Sequence, residues 1–237
     1  MLSALTIAVL ALGAGPVATV RVDDWAARPV GPLDLSATWQ RYPEEGTAFK
    51  QPPAIVQDDG RRVLQLRTDG EAMRVGRALK VDLNSTPWLV WEWKPLVLPE
   101  GGDVRNPERN DQACRVMVVF EGMRGIQYVW DTTAPVGTDV EPEDLLSLFR
   151  RRLVVVRSGP AQIGRWSRER RNVADDYRRL FGGPPVQARR ESDRGHGGGR
   201  EPGVAAREER MARGRARGPR VGGPWECYGG VGGVGRA

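Results

Sequence analysis

The sequence predicts a mainly β protein: an antiparallel domain built as two facing layers of extended chain, with one helix near its C-terminal end. Three observations predict it. Several short runs alternate apolar and polar residues at the two-residue period of a strand. Pro, Gly and Asp-Gly signals punctuate the spaces between those runs. A single stretch near residue 175 shows the helical period instead and is stopped by Gly182-Gly183-Pro184-Pro185.

The chain opens with an apolar segment, residues 1–18, whose hydrophobic part is too short for the ~20 residues that span a bilayer. Small residues and then Arg21, Asp23 and Asp24 follow, so the segment reads as a signal peptide cleaved near Ala18, although no basic residue precedes it. Residues 24–60 hold Trp25, Trp39 and Phe49 among turn signals, which suits short strands and loops. Val63 to Arg67 alternates and is a strand. Ala78 to Leu83 alternates again, with Leu79, Val81 and Leu83 on one side, and is expected to be another.

The densest signal is Thr86 to Lys94. At strand period Leu89, Trp91 and Trp93 point one way, and Trp88, Val90, Glu92 and Lys94 the other. An indole buries roughly 150–250 Å², so at about 25 cal/mol per Å² each contributes on the order of 4–6 kcal/mol. Such a strand is the centre of a core or the floor of a ligand groove.

Residues 99–112 form a long polar loop, a length often tied to function. Its Asp103, Asn106, Asn110 and Asp111 are oxygen donors without the fixed spacing of a calcium loop, so a solvated loop is the expectation. Cys114 to Phe120 and Ile126 to Trp130 then read as a hairpin, with Cys114, Val116, Val118 and Phe120 on one face and Ile126, Tyr128 and Trp130 on another. Glu143 to Phe149 suits a short helical turn, Leu153 to Val156 a strand buried on both faces, and Gly164 to Arg171 a further strand anchored by Trp166. Asn172 caps the one clear helix, with Asp175 three residues on and a stripe of Val173, Tyr177, Leu180 and Phe181.

From Ala188 to the end the composition turns to Arg, Gly, Pro and Ala. Eleven arginines there face six acids, so the tail carries +5 of the net +6 and residues 1–187 only +1. The basic pI near 9.9 therefore belongs to the tail, and a nucleic-acid partner for the body is not expected. A tail so poor in apolar residues is expected to be disordered. The domain layout is thus 1–18 leader, 19–187 β domain and 188–237 tail. Cys114 and Cys227 are too unlike in setting to suggest a structural pair, and with His196 as the only histidine neither a zinc site nor a His-based triad is indicated.

Trp91 and Trp93, and likewise Tyr128 and Trp130, admit two readings: an aromatic platform for sugar rings, or interior. Arg157 and Ser158, at the end of a buried strand, suit a carboxylate or sulfate held in a planar fork, or an ion pair at the sheet edge. Asp111 stands at a loop mouth just before a strand. These seven residues are the candidate ligand-binding set; no catalytic residue, metal ligand or cofactor is assigned. Glycoside chemistry would need two carboxylates about 5–9.5 Å apart, for which Glu92, Asp111, Glu121 and Asp131 are available.

Several stretches carry a resemblance: Thr86 to Lys94, Ala113 to Phe120, Tyr128 to Trp130 with Ala134-Pro135-Val136-Gly137, Val154 to Gly159 with Trp166, and Arg171 to Gly182. In this order they resemble the uncharacterised bacterial family known as domain of unknown function 3047, over about residues 34–187. The resemblance implies an exported or periplasmic β-sandwich, similar in outline to jelly-roll carbohydrate-binding domains, with no established activity. Family members continue past the Pro-Pro with further strands. This chain departs after Gln187, as a shift of reading frame there would produce, and its domain would then lack its last strands.

The expectation is a non-catalytic periplasmic or secreted domain that binds a carbohydrate or similar polar ligand, with no membrane span in the mature chain. Its rivals are a polysaccharide hydrolase or lyase using a carboxylate pair near Glu92 and Asp111, and a structural envelope protein without a small ligand.

Overall fold

The computed structural model describes residues 19–36, 38–41, 49–69, 73–142, 149–185 and 224–235, the last of these as backbone. The leader expected over residues 1–18, residues 143–148 of the turn expected over Glu143 to Phe149, and residues 186–223 lie outside the described residues. Within them the protein is mainly β and mostly antiparallel. It forms sheets of seven, four and two strands with one α-helix, and no sheet closes into a barrel.

The Asp59-Gly60 signal produces a two-residue hairpin between β4 (Ala54–Asp58) and β5 (Arg61–Asp69), with both turn residues at positive φ (48° and 76°). The tryptophan stretch is β7 (Trp88–Pro95). The first sheet runs β12 (Ser167–Asn172), β7, β13 (Pro224–Gly235), β5, β4, β2 (Gly31–Pro32), with β1 (Thr19–Arg21) paired to β13. The second runs β10 (Asp139–Val140), β11 (Arg150–Ser158), β9 (Arg124–Asp131), β8 (Cys114–Phe120). A pair of two-residue strands, β3 (Gln40–Arg41) and β6 (Val75–Gly76), makes the third.

Four expectations change. Ala78 to Leu83 is not a strand: the run pairs with no strand among the described residues and enters a turn in which Thr86 N–H donates to the Asp82 carbonyl at 2.9 Å. Only Val81 and Leu83 tuck against the core, while Leu79 is exposed. Second, β11 pairs with β9 in parallel, so the antiparallel expectation fails at that one ladder. Third, the segment expected to be disordered ends in β13, seated between β5 and β7. Averaging composition over the whole tail hid a dozen residues in which Trp225, Tyr228, Val231 and Val234 are interleaved with glycine. Fourth, Cys114 is disulfide-bonded, and Cys227, within β13, is the only other cysteine of the chain.

The main core lies where the inner face of β7 meets the inner faces of β8, β9 and β11. Leu89, Trp91 and Trp93 pack with Cys114, Phe120, Ile126, Tyr128, Trp130 and Val154. The helix α1 (Val173–Phe181) adds Val173, Tyr177 and Leu180; Asn172 caps it by accepting from Asp175 N–H at 3.1 Å, and Gly182 ends it at φ 71°. A second cluster gathers Trp25, Trp39, Ile55 and Leu64. A third sits on the outer side of the four-stranded sheet, where Val104 of the long loop covers Val129, Leu153 and Val155.

That loop is held from below. The fully buried Asp131 carboxylate accepts from the N–H groups of Val104, Thr133 and Ala134 at 2.7–2.9 Å. The loop oxygens are spent locally: Asp103 pairs with Arg105 at 2.7 Å, Asn106 caps the short turn Pro107–Arg109, and Asn110 accepts from Gln112.

Candidate functional site

The site begins with an irregularity in β11. Along its parallel ladder Val154 is opposite Tyr128 and Val155 opposite Val129, so Val155 lies on the outer side with the third cluster. Simple alternation would send Arg157 to that side too. A bulge between Val155 and Arg157 shifts the register by one and sets Arg157 opposite Trp130, on the inner face. Bulges re-aim side chains in this way and are frequent beside functional sites.

There Arg157 meets the edge strand of the other sheet. In β12 the residues paired with the inward tryptophans are polar: Ser167 is opposite Trp93 and Glu169 opposite Trp91, with Arg171 opposite Leu89. The Glu169 carboxylate accepts from Arg157 Nε and from the Trp93 indole N–H at 3.1 Å. Arg157 also donates to Gln162 and stands 5.8 Å from the Trp130 ring centre.

Next to this pair an ionic chain ties α1 to both sheets. The Tyr128 hydroxyl donates to Asp176 at 2.9 Å, and Arg171 grips the same carboxylate through two nitrogens at 2.6 and 3.0 Å. Arg179 reaches Asp139 at 2.8 Å, and Arg152 bonds the other oxygen of Asp139. Burial, reinforced by the Asp176 charge, pushes the Tyr128 phenol far above its ordinary value. Burial works against ionisation of Asp139, but the hydrogen bonds from Arg152 and Arg179 outweigh it and hold the carboxyl low.

Between β11 and β12 two adjoining cavities of about 290 and 210 Å³ share Val136 and Val156 and form one groove. Arg157, Arg170, Arg171 and Arg179 contribute to the lining against one carboxylate, Glu169. The rim is the turn of Pro135, Val136 and Gly137, stitched to β11 by Gly137 N–H donating to the Val155 carbonyl and Val155 N–H to the Thr138 carbonyl, both at 2.9 Å. Val136 is 64% exposed on it.

The seven sequence candidates separate. Arg157, Ser158 and Trp130 line the groove. Trp91, Trp93 and Tyr128 are brought together with Trp130 but as interior, each ring at most 2% exposed, and their faces are covered by one another. Asp111 is exposed in the loop before β8 and takes no part in the groove. Of the carboxylates considered for hydrolysis, Glu92 faces the opposite side of β7 and pairs with Arg61 at 2.6 Å, while Asp131 is consumed in holding the loop. Sequence reasoning missed Glu169, Arg171 and Arg179. The signal was the two-residue spacing of Ser167, Glu169 and Arg171 in step with buried tryptophans, which only the pairing of β12 with β7 reveals.

The fold and groove define a β-rich protein with an arginine-lined cleft at the edge of its two main sheets. The chain belongs to the family described as Protein of unknown function (DUF3047), whose model matches residues 38–190. Three of the stretches that carry this likeness, Ala134–Gly137, Val154–Gly159 and Arg171–Gly182, contribute residues to the groove. No curated protein and no solved structure matches the chain.

Proposed function

We propose that this protein is a non-catalytic binding domain for a carbohydrate or similar polar ligand, and that the ligand presents an anionic group to the groove between β11 and β12. The observation that carries the reading is the lining: Arg157, Arg171 and Arg179 against one carboxylate beside an apolar rim. Arginine forks suit carboxylates and sulfates, and a partly enclosed cleft strengthens charge-assisted hydrogen bonds. Hydrolysis by a carboxylate pair needs a second acid across the cleft, and the lining supplies Glu169 alone.

We read the two sheets meeting through Trp91, Trp93, Tyr128 and Trp130 as the layers of a jelly-roll-type sandwich, and the protein as periplasmic or secreted. The disulfide at Cys114 supports the second point, because such bonds persist in oxidising compartments.

A panel of acidic and neutral oligosaccharides tests the function. Binding restricted to acidic members, weakened about tenfold by Arg157→Ala with an unchanged melting temperature, is the expected outcome. Equal binding of neutral and acidic members, or an unaffected Arg157→Ala variant, would overturn it.

A further inference from the structure

The outer face of the same edge strand carries a second set of cations. In β12, Arg168 lies opposite Glu92 and Arg170 opposite Val90, on the side away from the core. Both are exposed, and neither forms an ion pair among the described residues. β12 ends its sheet, so the strip lies at an edge open to solvent.

Two indoles bracket it. The Arg170 guanidinium lies 3.7 Å from the centre of the Trp88 ring, and the Arg61 guanidinium 3.9 Å from that of Trp166. Trp166 is fixed in turn by donating to Asp58 at 2.7 Å. A guanidinium resting on an indole gives up rotamer freedom in advance while its N–H edge stays available for an anion. The acids on this face are already engaged: Glu92 by Arg61, and Asp58 and Asp59 by Lys94 at 2.7 and 3.3 Å.

We propose that this outer strip, centred on Arg168 and Arg170 with the Arg170–Trp88 and Arg61–Trp166 stacks at its ends, is a docking surface for a linear polyanionic polysaccharide. The two arginines stand two strand positions apart, about 6.6–6.8 Å, so adjacent charges of an extended chain can be met in turn. Single-stranded nucleic acid is disfavoured because both indoles are covered by guanidinium groups and offer no free stacking platform. A membrane surface is disfavoured because the strip lacks the large exposed apolar side chains that insert into one. Arg170 also borders the groove, but Arg168, Trp88, Arg61 and Trp166 lie outside its lining, so the proposal stands apart from the groove reading.

The test is salt elution of the full chain from immobilised heparin, a sulfated polysaccharide. Arg168→Ser/Arg170→Ser is expected to elute at clearly lower salt and to lose about tenfold in affinity for soluble heparin. Arg213→Ser/Arg215→Ser removes the same charge from the tail and is expected to change little; an equal loss there would show net charge alone at work and overturn the proposal. Trp88→Leu keeps every charge and is expected to weaken binding severalfold, with thermal unfolding followed to confirm folding. Arg168→Ser alone, outside the groove lining, is also expected to elute at lower salt, which separates this surface from the groove. Unchanged elution of the Arg168/Arg170 double variant, or stronger retention on DNA than on heparin, would also overturn it.

Discussion

The Trp91 indole stacks on the Tyr128 ring with centroids 5.3 Å apart and planes inclined by 28°, joining β7 to β9 across the main core. Both rings are at most 1% exposed. Trp91 also meets Trp93 edge-on at 5.5 Å, and Trp93 meets Trp130 at 5.9 Å, so four rings form one continuous contact between the sheets. Such pairs contribute beyond the apolar area they bury.

Truncating the centre of this contact should therefore affect folding before binding. Trp91→Ala is expected to cost about 3–5 kcal/mol, read as a lower urea midpoint. A variant that keeps its midpoint and loses only ligand would make the ring a platform instead.

The carboxylate of Asp176 joins Tyr128 to Arg171 and is 8% exposed at the side chain. Asp176→Ala leaves both donors without their acceptor and should cost about 2–4 kcal/mol, whereas Tyr128→Phe should cost about 1 kcal/mol. Equal costs for the two variants would contradict the central role given to the carboxylate.

Acid should unfold the protein through a defined set of carboxyls. Hydrogen bonds from Arg105 hold Asp103 far below its ordinary value. At Asp23, Asp58 and Asp139 burial opposes ionisation, but bonds from Arg28 and Trp39, from Lys94 and Trp166, and from Arg152 and Arg179 respectively outweigh it. A carboxyl lowered by folding stabilises the native state fully above its unfolded value and loses that contribution as pH falls through its folded value. Stability is thus expected to hold above about pH 5 and to decline as pH drops below the ordinary 3.8. Urea midpoints at pH 7 and pH 2.5 that coincide would refute this.

Gly102 lies where the long loop crosses its own backbone. A Cβ there would come within 2.4 Å of the Asp111 carbonyl oxygen and 3.1 Å of the Thr132 hydroxyl. Gly102→Ala is expected to cost about 1–3 kcal/mol and to raise amide exchange at Thr133, whose N–H donates to the Gly102 carbonyl.

Cys114→Ala, or reduction, should destabilise the protein by about 2–5 kcal/mol. A melting temperature indifferent to reductant would argue against a bridge at Cys114.

Much of this was legible along the chain. β7, β8 and β9 follow alternation that can be read residue by residue, because one face of each strand is apolar and buried. The cap at Asn172 and the turn at Asp59-Gly60 rest on local hydrogen bonding and local φ, which nearby residues decide. Ala78 to Leu83 shows the limit: its pattern matches a strand, but a strand also needs a partner.

Sequence alone determined the β character of the middle of the chain, the single helix, the face that Trp91 and Trp93 share and the family to which the chain belongs. Tertiary structure alone decided which side Arg157 faces, that Glu169 and Arg171 join it, and that β13 fills the space between β5 and β7. The physical reason is range. Strand period and helix caps are set within a few residues, whereas a register shift, an ion pair across two sheets and a strand from a distant segment depend on partners far away in sequence.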